Sequence, residues 1–294
     1  MEPLIFHIDV NSAYLSWTST ENVRTGTGPD LRLLPAIIGG DQKNRHGVVL
    51  AKSIPAKAFG IVTGEPVATA FKKCPTLQMA APDHHLYHAY SQRLMTLLES
   101  FCPYLEQLSI DECFLDMGRR GYTREHAKAL AAEIRAEVRK LGFTVNVGIS
   151  SRKVLAKMAS DFQKPDKTHT LFPEEIKEKM WPLPVGELYM AGHSSVTTLH
   201  MLGILTIGDL ARSDRSLIES HLKSHGTLLW EYANGIDDRP VITEEPEAKG
   251  IGNSTTLAHD VTSRAEAKST LLVLCRSVSG RLKKAGQLAG TVTV

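Results

Sequence analysis

The stretch LEQLSIDECFLDM, residues 105–117, most constrains how this chain can fold, because two adjacent acids interrupt an otherwise apolar pair of strands. Its side chains alternate with period two, which is typical of strands, and a tight turn is predicted near residues 109–112. Asp111 and Glu112 would point to opposite faces of a regular strand, so the backbone must bend there if both serve one site. An ordinary acidic surface turn is the alternative. The apolar flanks favour a site, since buried acids are costly without a cation.

The rest of the first 170 residues alternates between short apolar runs and helical patterns. Besides 105–117, the patterns predict strands at 4–10, 48–51 and 143–149, and helices at 12–22, 66–74, 84–102, 123–141 and 153–162. The first strand ends at Asp9, and the polar, glycine-rich residues 39–47 predict a loop. This order of elements favours an α+β fold with a ferredoxin-like βαββαβ core.

Beyond residue 171 the chain changes to short helical pieces. Residues 197–211 predict a helix, a tight turn bracketed by Gly203 and Gly208, and a second helix, whereas 237–248 predict a linker. The C-terminal part then predicts a strand at 251–257, a helix at 263–285 and the beginning of a strand at 288–294. Because that unit would leave strand edges unpaired, we expect that half a domain is missing and that the chain is a fragment.

Charge and composition narrow the class of protein. The net charge of the 294 residues is only +2, but from Lys249 onward seven Lys and Arg face two acids. A basic terminal module suits a polyanion, although a solvated helix face would look the same. The sequence shows neither an apolar run long enough to span a bilayer nor a secretory signal, so we expect a cytoplasmic protein without membrane contact. The four cysteines lack CxxC spacing and are expected to be reduced thiols.

The three acids Asp9, Asp111 and Glu112 lie at predicted strand ends, which suits phosphoryl transfer. That reaction needs two divalent ions roughly 4 Å apart, one to activate a hydroxyl and one to hold a triphosphate. Mg²⁺ prefers hard oxygen ligands, and carboxylates from adjacent strand ends supply them. The pattern therefore predicts a site for two Mg²⁺ ions.

Several segments resemble the Y-family translesion DNA polymerases, including the UmuC-like and DinB-like branches. SIDECFLD resembles the family's S-I-D-E-[AC]-[FY]-L-D motif, HIDVNSAYLSW its opening strand, and VNVGISSRKVLAKMASDFQKP its last palm strand and following helix. The resemblance extends from the N-terminus to Val294, with the motifs in the family's order. It implies a palm at 1–12 and 80–170, fingers at 13–79, a helix-hairpin-helix thumb at 171–240, a linker at 241–248, and a partial little finger at 249–294.

The resemblance also implies roles for individual residues. The catalytic metal ligands would be Asp9, Asp111 and Glu112, with the backbone carbonyl of Val10 as a further ligand. Nucleotide contacts would come from Ser12 and Ala13 beside the nascent pair, Tyr14 as the steric gate against a 2′-hydroxyl, and Lys57 and Lys164 at the triphosphate. We expect DNA contacts at Gly192, Ser194, Ser195, Arg281, Lys283 and Lys284.

Some positions depart from the family pattern. Lys57 and Ile54 stand where many members have arginine and tyrosine, and DVN replaces the commoner D-x-D, which favours the UmuC-like branch. The glycine-rich thumb hairpin V-x-G-[IV]-G is replaced by residues 188–192, LYMAG, with a single glycine. The phosphate contact there is therefore expected to be weaker or to be made by Ser194 and Ser195.

The implied activity is template-directed nucleotidyl transfer from a dNTP to a primer 3′-hydroxyl during DNA repair and the SOS response. The implied partners are primer-template DNA, a dNTP and a candidate sliding clamp, for a protein that acts as a monomer. A nucleotide cyclase shares the palm topology but needs a GG[DE]EF-type turn, which this sequence lacks. A noncatalytic, polymerase-like DNA-binding subunit is the other alternative, and the presence of all three acids disfavours it.

Overall fold

The computed structural model describes residues 3–40, 47–244 and 248–294. Its described strands are β1 (Ile5–Val10), β2 (Ala36–Gly39), β3 (Val49–Lys52), β4 (Gln78–Ala80), β5 (Leu105–Gln107), β6 (Glu112–Asp116), β7 (Val145–Ser150) and β8 (Thr168–Thr170). The α-helices are α1 (Ala13–Thr25), α2 (Ile54–Lys57), α3 (Val67–Lys73), α4 (His84–Phe101), α5 (Arg124–Lys140), α6 (Lys153–Asp161), α7 (Ile176–Lys179), α8 (His193–Met201), α9 (Ile207–Arg212), α10 (Arg215–Ala233) and α11 (Arg264–Lys284). They form two compact units: residues 1–30 with 83–244, and residues 31–82 with 245–294.

The larger unit contains a five-stranded sheet of order β5-β6-β1-β7-β8. Neighbouring strands are antiparallel except β7 and β8, which are parallel. Without β8, the order of strands and of the helices α4 and α5 is that of a ferredoxin-like βαββαβ sheet. The α+β prediction is therefore confirmed, and the helix boundaries lie within a few residues of those predicted.

The two faces of this sheet have different partners. Phe6, Ile8 and Val10 of β1 join a core with α4 and α5, because successive side chains of a strand alternate between faces. His7 and Asp9 consequently point toward the opposite face, where α6 packs. The approach of α6 is close, since a Cβ at Gly148 of β7 would lie 1.9 Å from the carbonyl oxygen of Ala156. Polar side chains of β1 thus face the residues of α6.

The helices α7 to α10 share an apolar core with α6, which contains Leu155, Leu199 and Leu210. The predicted helix, turn and helix is present, but its boundaries differ. The first helix, α8, begins at His193 rather than at residue 197, and Gly208 lies inside α9 rather than in the turn. Gly203, with φ 76°, makes the turn, since this backbone conformation favours glycine.

The smaller unit has two chain segments. In the first, β3, β2 and β4 form a three-stranded sheet around a small core with Ile37, Val67 and Leu77. The predicted strand 48–51 and helix 66–74 correspond to β3 and α3. Most of the predicted loop 39–47 lies outside the described residues, since 41–46 are not described.

In the second segment, α11 confirms the predicted helix 263–285, and the Ser263 side chain accepts a hydrogen bond from the backbone N–H of Glu266. The predicted strands 251–257 and 288–294 are wrong, because the described residues there form no strand. A strand needs a hydrogen-bonded neighbour, and no partner strand is present in the described part of this segment.

Candidate active site

The register of the central sheet brings the predicted acids to one end. Asp9 of β1 pairs directly with Glu112 of β6, so the two side chains share a face. The backbone N–H of Val10 donates to the carbonyl of Asp111 at 3.1 Å. All three acids therefore lie at the same end of two adjacent strands.

The expected bend before Glu112 is a tight turn between β5 and β6. The backbone N–H groups of Leu108 and Ser109 both donate to the carbonyl of Glu112, at 2.9 and 3.2 Å. The Ser109 hydroxyl donates to Oδ1 of Asp111 at 2.7 Å. The strand begins only at Glu112. Asp111 lies in the turn before it, so the alternation of side chains along a strand does not require Asp111 to point to the opposite face from Glu112.

Two lysines from α6 and the loop after it contact the acids. Lys157 Nζ lies 2.7 Å from Oε2 of Glu112 and 3.5 Å from Oδ2 of Asp9. Lys164 Nζ lies 2.9 Å from Oδ1 of Asp9 and 2.8 Å from Oδ1 of Asp161. The predicted triphosphate lysine, Lys164, is thus brought to the predicted metal ligands.

His7 supports Glu112 from beneath the site. Its ring is fully buried, with Nε2 3.1 Å from Oε2 of Glu112 and Nδ1 2.9 Å from the Ser160 hydroxyl. Burial lowers the pKa of His7, more than the hydrogen bond to Glu112 raises it. Since an ionised carboxylate only accepts, Nε2–H is the donor to Glu112.

These surroundings shift the pKa values of Asp111 and Glu112 in opposite directions. Burial raises the pKa of Asp111, and the nearby charges of Asp9 and Glu112 raise it further. Burial also disfavours ionised Glu112, but the His7 hydrogen bond and Lys157 outweigh it and lower the pKa of Glu112 to about 2. Like-charged carboxylates therefore crowd one end of the sheet, and Asp111 is the one whose charge is least compensated.

This donor set fits a divalent cation by its chemistry. It offers hard carboxylate oxygens, and a cation would offset both the burial and the like charges that raise the pKa of Asp111. Within the described ranges, no three His, Cys, Asp or Glu side chains are grouped tightly enough to hold an ion. The nearest charged partners of Glu112 and Asp9 are the amines of Lys157 and Lys164.

The predicted nucleotide residues Ser12, Ala13 and Tyr14 follow β1, which ends at Val10, and lead into α1. Tyr14 stacks on Tyr87 with ring centroids 4.5 Å apart and an angle of 6°. Burial raises the pKa of the Tyr14 phenol, and the negative charge of Asp111 raises it further. Ser12 is exposed, whereas Ala13 is buried in the core and offers little surface to a ligand. Lys57 lies in the smaller unit, exposed at the end of α2.

The predicted DNA contacts are divided between the two units. Gly192 and Ser194 are exposed at the N-terminus of α8, but Ser195 is buried, with 8% of its surface accessible. Arg281, Lys283 and Lys284 are exposed in the last turn of α11. The Arg281 guanidinium donates to the carbonyl of Gly252 at 2.8 Å.

Sequence reasoning missed His7 and Lys157. Both have signals that could have found them. His7 precedes Asp9 by two residues on a strand and so shares its face, and Lys157 lies on the predicted helix 153–162 directly before Lys164.

Comparisons with known proteins agree with this architecture. Residues 8–161 match the impB/mucB/samB family, and residues 248–294 match the C-terminal domain of that family. DNA polymerase IV of Clostridium acetobutylicum is 48% identical, with 100% of this chain and 74% of that protein aligned. DNA polymerase IV of Acetivibrio thermocellus is 36% identical, over 100% of this chain and 73% of that protein.

Solved structures share the fold at lower identity. A Y-family DNA polymerase chimera of Dbh and Dpo4 superposes with a TM-score of 0.81 at 23% identity, over 94% of this chain and 80% of that one. DinB from Sulfolobus solfataricus gives a TM-score of 0.71 at 24% identity, over 81% and 69%. With the family match and the relative of 48% identity, the chain therefore belongs to the impB/mucB/samB family and is a Y-family polymerase.

Proposed function

We propose that the chain is a DNA-directed DNA polymerase of the translesion type, which extends a primer from deoxynucleoside triphosphates on a DNA template. The observation that best supports this function is the placement of Asp9 opposite Glu112, with Asp111 at the adjoining turn, in a chain that aligns over its full length with a DNA polymerase IV. A noncatalytic binding role would not require three acids at one end of the sheet.

Membership in this family implies the use of divalent metal, and we propose two Mg²⁺ ions as the cofactor. Asp9, Asp111, Glu112 and the carbonyl of Val10 would hold them. Bound there, the ions would activate the primer 3′-hydroxyl and neutralise charge on the triphosphate. His7 would orient Glu112, and Lys157 would keep the acids ionised and paired while no metal is bound.

The nucleotide would lie between α1 and the lysines. Tyr14 would exclude a 2′-hydroxyl, because its ring is held in place by the stack on Tyr87. Lys164, with 37% of its side chain exposed, would contact the triphosphate as a point charge, together with Lys57. Ser12 would line the nascent base pair, and buried Ala13 would limit bulk beneath it.

DNA contacts would come from the N-terminus of α8 and from basic side chains of α11. The exposed N-terminus of α8 at Gly192 and Ser194 suits a backbone phosphate, since helix N-termini bind anions. Buried Ser195 would support this turn rather than touch DNA. Lys283 and Lys284 would add nonspecific affinity that weakens as salt rises.

We propose the palm, fingers, thumb and little-finger division given above, action as a monomer in the cytoplasm, and recruitment by a sliding clamp. No helix in the described part of the chain has the length and apolarity of a membrane span.

Primer extension with Mg²⁺ tests the proposed reaction. Asp111→Ala should reduce single-nucleotide incorporation by more than the roughly 10–100-fold that loss of a residue supporting a metal ligand costs. Asp116→Ala is the matched control, because this acid lies at the opposite end of β6 from Asp111 and accepts a hydrogen bond from the backbone N–H of Arg119. Extension by wild type and control but not by Asp111→Ala supports catalysis. Primer-template binding without extension by any of the three would favour the noncatalytic alternative.

A further inference from the structure

We infer that Asn11 and Asn146 are positioning residues that fix the backbone on either side of Lys164. This inference rests on the proposed function, in which Lys164 contacts the triphosphate. The two asparagines are 135 residues apart in sequence and join through a hydrogen bond from Asn11 Nδ2 to Asn146 Oδ1 of 3.1 Å. Both are buried, with 7% and 0% of their surface exposed.

The side chain of Asn146, on β7, uses its full hydrogen-bonding capacity. Its Nδ2 donates to the carbonyls of Ser160 and Gln163, at 2.8 and 2.7 Å. Its Oδ1 accepts from Asn11 and from the backbone N–H of Lys167, the latter at 3.1 Å. An amide has two donor hydrogens and two acceptor lone pairs, so this one is saturated.

Asn11 makes the complementary contacts from the end of β1. Its Oδ1 accepts from the backbone N–H of Asp166 at 2.8 Å and from the Thr144 hydroxyl at 2.9 Å. Because backbone N–H groups only donate and carbonyls only accept, the orientation of both amides is determined by their partners.

These bonds bracket the lysine. The carbonyl of Gln163 is held on one side of Lys164, and the N–H groups of Asp166 and Lys167 on the other. Asp166 has a left-handed backbone, with φ 56°, and its carboxylate pairs with Arg135 at 2.9 Å. The backbone around Lys164 is therefore fixed from both directions, while its side chain stays partly exposed and reaches Asp9.

Fixing the backbone at Lys164 should strengthen the attraction between its amine and a phosphate. The attraction to phosphate depends on where the flexible side chain starts, and ordering the backbone beforehand reduces the entropy lost on binding. Loss of either asparagine should therefore weaken dNTP binding more than it slows the chemical step.

Steady-state incorporation kinetics of the full chain test this expectation. Asn11→Ala and Asn146→Ala should each raise KM for dNTP about tenfold, equivalent to about 1.4 kcal/mol, with a smaller change in kcat. Thr144→Val, a milder variant that removes one donor to Asn11, should raise KM less. Ser150→Ala is the matched control, since this buried hydroxyl of β7 donates only to the carbonyl of Leu171 in the described structure. An unchanged KM in the asparagine variants, or an equal rise in the control, would overturn the inference.

A double-mutant cycle separates action through Lys164 from general damage. In a Lys164→Ala background, Asn11→Ala should raise KM for dNTP by less than twofold, because the group being positioned is already absent. Fully additive effects on KM would show that Asn11 acts by another route.

Hydrogen exchange tests the anchoring without reference to activity. Asn11→Ala should expose the amide of Asp166 to faster exchange, and Asn146→Ala that of Lys167, each by at least about tenfold. If wild type extends no primer but these amides lose protection, the proposed function fails and the anchoring stands. If wild type extends primers and the amides stay protected, the function stands and the inference fails.

Discussion

The ammonium nitrogen of Lys157 lies 2.7 Å from Oε2 of Glu112, with only 11% and 22% of the two side chains exposed. Burial lowers the pKa of this lysine, but the charges of Asp161, Asp9 and Glu112 outweigh it and raise the pKa overall. The lysine is therefore charged at neutral pH and occupies the position of a cation among the acids. We therefore expect the free energy of unfolding to depend on whether a positive charge, from Lys157 or from a metal ion, lies next to Glu112.

Lys157→Met should destabilise the protein by about 3 kcal/mol in the absence of metal, because it leaves a part-buried carboxylate without its ionic partner. Added Mg²⁺ should raise the unfolding temperature of this variant more than that of wild type, since the ion no longer competes with the amine. Thermal unfolding with and without MgCl₂ measures both effects.

Lys153→Met provides the matched control for this prediction. Lys153 lies on the same helix, is at least as buried, and pairs with Glu106 at 2.6 Å rather than with the predicted metal ligands. It should lose stability without gaining a larger response to Mg²⁺. Equal Mg²⁺ responses in the two variants would contradict the assignment of the acids to metal.

Tyr14→Ala should lower the preference for deoxynucleotides over ribonucleotides by about one to two orders of magnitude, because the ring that excludes the 2′-hydroxyl is gone. The ratio of kcat/KM for dNTP and rNTP measures this preference. Tyr90→Phe, in the same aromatic cluster, removes only a hydroxyl that donates to Glu21 and should leave the ratio unchanged. Unchanged sugar discrimination in Tyr14→Ala would rule out its role as the steric gate.

Met190→Gly should stabilise the protein by about 1 kcal/mol. Met190 has φ 72°, a left-handed conformation that costs an L-residue roughly 1–2 kcal/mol, and its side chain is 50% exposed. Relief of this strain should exceed the entropy that glycine loses on folding.

Met201→Gly is the control for that measurement by chemical denaturation. Met201 is also exposed but ends the regular helix α8, so glycine should destabilise there by up to about 1 kcal/mol. A loss of stability in Met190→Gly would show that packing of the methionine outweighs its backbone strain.

Asp237→Ala should cost about 1–2 kcal/mol at pH 7. Although it lies 83 residues away in sequence, the carboxylate caps the N-terminus of α6 by accepting from the backbone N–H of Val154 at 3.0 Å. It also pairs with Arg239 at 2.7 Å. Burial disfavours its charge, but the hydrogen bonds and charge of Arg239 and the bond from Val154 outweigh burial and lower the pKa of Asp237.

A lowered folded-state pKa fixes the direction of the pH dependence. The stability that Asp237 contributes should be fully present well above its ordinary pKa of 3.8 and should be lost as the pH falls below that value. Denaturation of wild type and Asp237→Ala at pH 7, 5 and 3 measures the difference. A gap that widens toward pH 3 would contradict this account.

Local pattern was enough to predict much of the framework. The alternation in residues 105–117 predicted the β5–β6 hairpin, Thr123 and Gly142 bounded α5, and the order of strands and helices predicted the ferredoxin-like sheet. These features depend on side-chain periodicity and on capping, which neighbouring residues determine. The two strands predicted after residue 248 failed because a strand depends on a partner that periodicity alone does not supply.

The chain's sequence by itself determined that Asp9, Asp111 and Glu112 stand at strand ends, and motif order was enough to indicate the family. Only the tertiary structure decided that Asp9 pairs with Glu112, that Lys157 lies between them, and that residues 237–242, at the start of the predicted linker, dock on α6 and Glu106. Strand register and helix approach decide such contacts. They bring together residues that are more than 80 positions apart, as for Val154 and Asp237, beyond the reach of any local pattern.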